Sequence, residues 1–164
     1  PEAQCVALPS PGLLAAPYLN EIEIHADSVV FRNERFNAVR TVYLDGRGHP
    51  ENGEFSNQGH SIGRWDGDVF VVEAAGFNGS AWLDRSGNHF SASLKVTERY
   101  TMTGPDHMLY EATLEDPNTF SRPWTISLPL YRHVAENARL GQFKCVEFVE
   151  ELMYGHLRKN PVGR

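Results

Sequence analysis

Apolar and polar residues alternate along most of this chain, and the alternation is interrupted at short intervals by Gly, Pro, Asn and Asp. Residues 21–25 and 28–32 alternate on either side of Ala26-Asp27 and predict a hairpin. Residues 38–44 predict a third strand, which ends in Asp45-Gly46-Arg47-Gly48-His49-Pro50, a loop continuing to about Gln58. Residues 59–65 and 68–77 predict a central hairpin around Asp66-Gly67, a pair suited to the positive φ angles of a tight turn. A long loop over 78–90 follows, then a hairpin of 93–103 and 107–114 across Gly104-Pro105-Asp106. Asp116-Pro117 breaks the pattern, and 123–133 predicts another long strand. Between 142 and 153, Phe143, Val146, Phe148, Val149 and Leu152 fit either a strand or a helix; a strand running into a short helix is expected.

The sum is about eight strands joined mostly by hairpins, without the strand–helix–strand alternation of a parallel sheet. The expected fold is all-β, or β with one short C-terminal helix: a single antiparallel, lipocalin-like barrel, closed or nearly closed, because closure removes exposed edges. Residues 1–18, with Pro9, Pro11, Gly12 and Pro17, are expected to form an extended arm over this one domain spanning 1–164.

Composition narrows the partners. A chain of 164 residues with 41% hydrophobic content is long enough to bury a core without a metal. The formal charge is −6 and no basic stripe is present, which argues against a nucleic-acid partner. Apolar runs such as 69–72 are too short to cross a bilayer, so no membrane insertion is expected. Association with copies of itself stays open. The sequence begins at Pro1 rather than Met, read as a trimmed N-terminus that a removed export signal would explain; a periplasmic or secreted location fits, and a cytoplasmic one also stands. Cys5 and Cys145 are either a disulfide closing a long loop or two buried thiols.

Strand parity singles out polar groups. In 93–103 the apolar parity runs Leu94, Val96, Glu98, Tyr100, Met102, so Glu98 points where hydrophobes point. A carboxylate there must be paired or have a raised pKa, the condition in which general acids and bases are made. Arg40, sharing parity with Val42 and Leu44, is the candidate partner, and a purely structural ion pair is the alternative. His60, beside Gly59 and in parity with Ile62 and Arg64, is the candidate for proton transfer; the alternative is a histidine bonding the Asp45 loop. Tyr43 and Asp45 share parity at the end of the third strand, although Asp before Gly commonly caps a turn. Phe77, Trp82, Trp124 and Tyr131 are either an aromatic lining or plain core.

No nucleophile elbow, Walker loop, dinucleotide fingerprint or zinc-protease helix is present. None of the seven histidines pair at i,i+2 or i,i+4. No metal or cofactor is therefore expected, and a site drawing on His49, His60 and His89 from separate loops has no spacing to support it.

Arg40–Pro50, Gly59–Glu73, Thr97-Glu98-Arg99, Asp116-Pro117, Pro123-Trp124-Thr125 and the two cysteines resemble a large family of small, often exported bacterial β-rich proteins. The Gly63-Arg64-Trp65 step is similar to the Gly-x-Trp of lipocalin-like barrels, in which the Trp packs the barrel floor. Some proteins resembling this family are γ-formaldehyde lyases of lignin-derived aromatics. The resemblance implies a cofactor-independent lyase acting on a phenylpropanoid-type molecule. In that reading His60, Glu98, Tyr43 and Asp45 supply the chemistry, and Arg40, Arg64, Phe77, Trp82, Trp124 and Tyr131 hold a hydrophobic or aromatic substrate. The alternative is a non-catalytic carrier of small molecules.

Overall fold

A computed structural model describes residues 4–51, 56–84 and 86–157. Eight strands form one sheet in chain order: β1 (Asn20–Ile24), β2 (Ser28–Asn33), β3 (Ala38–Tyr43), β4 (His60–Asp66), β5 (Val69–Ala75), β6 (Lys95–Gly104), β7 (His107–Glu115) and β8 (Trp124–Tyr131). β1 and β8 do not pair with each other, so the sheet curls into a half-barrel that stays open. Both free edges carry protection. β1 presents Glu21 and Glu23, and β8 contains Pro129, which has no N–H to offer an incoming strand.

Alternation along the strands builds the core. Val29 and Phe31 of β2, Val42 of β3, Phe70, Val72 and Ala74 of β5, Val96 and Tyr100 of β6, and Tyr110, Ala112 and Leu114 of β7 are buried on the inner face. The connection between β5 and β6 closes this face with Phe77, Ala81, Leu83, Phe90 and Leu94. The N-terminal arm is more than an extended strip: it includes a short helix, α1 (Gly12–Ala15), and buries Leu8, Leu13 and Leu14. The chain can pass so close there because residue 12 is glycine; a Cβ would lie 2.2 Å from the Leu83 carbonyl oxygen.

Cys5 and Cys145 form a disulfide with Cα atoms 5.7 Å apart, tying the arm to the C-terminal tail. The strand expected within 142–148 does not form. That segment is irregular and exposed, and it leads into α2 (Val149–Tyr154), where no side chain is buried. Trp65 does not reach a barrel floor: it is 56% exposed and leans on Phe70.

One junction departs from the antiparallel plan. β3 and β4 run parallel, and their register holds only at Val42↔Ser61 and Tyr43↔Ile62. Parallel neighbours require a long return, here residues 44–59, where antiparallel ones need only a tight turn. Upstream of the two paired positions, the start of β3 and the residues entering β4 diverge, and a cleft opens between them.

Candidate functional site

The cleft has a volume of about 480 Å³, within the range of about 300–1,000 Å³ common for small-molecule sites. β3 contributes Arg40, Thr41 and Tyr43, and the entry to β4 contributes Gln58, Gly59, His60 and Ser61. Gly59 has φ +65°, and a Cβ there would approach the Ala75 carbonyl oxygen to 2.8 Å, so glycine lets this wall lie flat on β5.

Because side chains alternate along a strand, the junction carries two unlike sets of groups on its two faces. On the inner face, Arg40 and Ser61 are buried beside Glu98, which has no exposure at all. Arg40 Nη2 donates to Glu98 Oε2, and Arg40 Nε donates to Ser61 Oγ at 2.9 Å. The Tyr110 hydroxyl donates to Glu98 Oε1 at 2.6 Å, and the Tyr100 hydroxyl to the same oxygen at 3.3 Å. Burial opposes the charge of Arg40, but the charge and hydrogen bond of Glu98 outweigh it and raise the arginine pKa. Burial, together with the Glu98 charge, drives both tyrosine hydroxyls well above their ordinary pKa, keeping them protonated donors. Glu98 is thus sealed and accepts three hydrogen bonds, the geometry of a structural ion pair.

The outer face carries Tyr43 and His60. Their rings stack with centroids 5.3 Å apart, and the Arg47 guanidinium covers Tyr43 at 3.9 Å. His49, from the returning loop, meets His60 with Nδ1 atoms 3.0 Å apart. Such a contact needs one nitrogen bearing hydrogen and one bare, so at least one ring is neutral. Burial lowers both histidine pKa values. For His60, the His49 and Arg47 charges push the same way and Asp45 opposes; for His49, Glu73 opposes and Lys95 reinforces. Asp45 accepts from Arg47 Nε and Nη2 and from the Arg47 backbone N–H at 3.2 Å, so it caps the turn it precedes. The Arg47 hydrogen bonds hold its pKa at about 2.

The expected site therefore divides. Arg40 and Glu98 meet, as parity indicates, while His60, Tyr43 and Asp45 gather on the opposite face of the sheet. Arg64, in parity with His60, points outward and pairs with Glu73. The four aromatics do not form one lining: Phe77 is core against Phe90, Trp82 is exposed across a bridge from His89, Trp124 packs on Phe120, and Tyr131 is exposed beside His107. Sequence reasoning missed Tyr110 and Ser61, inner-face residues whose hydroxyls serve the ion pair. Tyr110 had a readable sign, since the turn at 104–106 sets it opposite Tyr100. Arg47 and Gln58 gave none, being loop residues whose positions depend on the return path.

Among the described residues, no three His, Cys, Asp or Glu side chains gather as a metal-ligand set, and no helix is long and apolar enough to cross a membrane. Comparison of the chain with protein-family models, with curated proteins and with solved structures found no match to any of them.

Proposed function

We propose that the protein is a small-molecule-binding module whose ligand occupies the cleft between β3 and β4. The observation that carries this reading is the cleft itself: about 480 Å³ at the parallel β3–β4 junction, walled by hydrogen-bonding side chains and flanked by the His49–His60 contact. In this reading Glu98 is structural, since it has no exposure and accepts from Arg40, Tyr110 and Tyr100. The test is amide chemical-shift mapping of the labelled protein against small phenols and sugars. Shifts concentrated in 39–43 and 56–61 support the reading, and shifts confined to other regions count against it.

A second reading, the formaldehyde-releasing lyase, draws its support from the two histidines alone. His60 would take the γ-hydroxyl proton of a diaryl propanoid as the carbon–carbon bond breaks and formaldehyde leaves. The electron pair released would form the new alkene and expel the benzylic oxygen, to which His49 would deliver a proton. His49→Ala and His60→Ala should each abolish formaldehyde release from such a substrate; full activity in both removes this reading and leaves the binding module intact.

A further inference from the structure

Two buried polar atoms without hydrogen-bond partners among the described residues belong to residues that line this one cleft: Arg40 Nη1 and Gln58 Oε1. They are opposite in kind. Arg40 Nη1 can only donate, and Gln58 Oε1 can only accept. The amide orientation is set by Gln58 Nε2, which donates to the Leu8 carbonyl at 2.8 Å. Leaving such groups unpaired in a folded interior is costly, so a ligand that reached both from the cleft would gain by offering one acceptor and one donor.

The chemistry of that partner follows from what each ligand class can offer. A carboxylate accepts but cannot donate to Gln58. It would also add an unmatched negative charge beside Glu98, whose charge already balances that of Arg40. An ammonium donates but cannot accept from Arg40. An unsubstituted aromatic ring does neither, and the Tyr43 ring is already engaged by His60 and Arg47. A hydroxyl group both donates and accepts. Thr41 and Asn57 extend the lining with further neutral hydrogen-bonding groups, and among the described residues Val39 is its one aliphatic side chain. Resting on the binding-module reading above, we infer that the cleft takes a neutral, polyhydroxylated ligand of the monosaccharide class.

The experiment titrates the labelled full chain with methyl glucoside and N-acetylglucosamine. Parallel arms use glucuronate, the same ring bearing a carboxylate, and coniferyl alcohol, a flat phenol. A neutral sugar should shift the amides of 39–43 and 56–61, with glucuronate at least ~10-fold weaker. Thr41→Val and Asn57→Leu, checked for an unchanged fold by their amide spectra, should each weaken the sugar by ~10-fold, the usual worth of one well-placed hydrogen bond. Binding of coniferyl alcohol or glucuronate at the cleft without either neutral sugar overturns the ligand class while sparing the cleft. Absence of any cleft shift in all four arms overturns both.

Discussion

Two arginine–carboxylate pairs lie close to the same strand and do opposite work. Arg40 and Glu98 meet in the core with almost no exposure, whereas Arg47 and Asp45 meet at the surface, each more than a third exposed. The ion types are the same; the surroundings differ. Out of water, each charge would be ruinous alone, so the pair binds the strands that carry it and depends on every hydroxyl that completes it. In water the charges are already solvated and the contact organises only its own turn. Arg47 lies over Tyr43, one of the cleft's lining residues, while Arg40 lines the cleft itself and is held by Glu98.

The sharpest way to break the comparison is to remove one buried partner. Glu98→Ala should destabilise the fold by about 3–5 kcal/mol in urea denaturation, since it strands the Arg40 charge. The double variant Arg40→Met/Glu98→Leu should recover most of that loss, and if it is as unstable as the single change the pair is not the cause. Next in size is Tyr110→Phe, which takes the closer hydroxyl from Glu98 Oε1 and should cost about 1–3 kcal/mol. Tyr100→Phe should cost less, because its bond is longer.

A smaller effect should appear with pH. His49 and His60 have folded pKa values below the ordinary 6.5, so under that value the unfolded chain binds more protons than the folded one. Their contribution to stability is complete above pH 6.5 and is lost as the pH falls from there through the folded values. His49→Asn/His60→Asn should flatten the melting-temperature profile between pH 7 and 5, and an unchanged slope would place the titration elsewhere. Smallest of all, Asp45→Asn should leave the urea midpoint at pH 7 unaltered. Because Asp45 is held at about pKa 2, any contribution it makes would disappear only in strong acid.

Much of the fold could be read from alternation. The eight strands, the Gly67 turn and the inward Glu98 with its Arg40 partner all follow from a period of two and from turn chemistry, which are local rules. What escaped depends on the path between strands. Nothing in residues 44–59 states that they return the chain to run parallel to β3, and that return is what sends His60 to the face opposite Glu98. Parity within a strand places side chains relative to one another, but it does not say which set faces the core. For β4 the decision rests with Ser61, small enough to sit beneath Arg40. The aromatic lining failed for a related reason, since Trp124 and Tyr131 stand at the two ends of β8 while Trp82 lies in the β5–β6 connection, and nothing in their spacing draws them together. The disulfide was left open because spacing alone cannot choose between a bond and two thiols.

The two-position register between β3 and β4 also bears on how the molecule opens. β1–β3 and β4–β8 are each runs of antiparallel neighbours in chain order, paired over five to nine positions at every step. The two runs meet at only two ladder positions. The join should therefore be the first part of the sheet to open. Arg40, reaching across it to Ser61 and Glu98, acts as a fastener between the two runs. In native-state hydrogen exchange the amides at Val42 and Ser61 should open with a smaller free energy than those in the middle of β6 and β7, and loss of Glu98 should widen that gap.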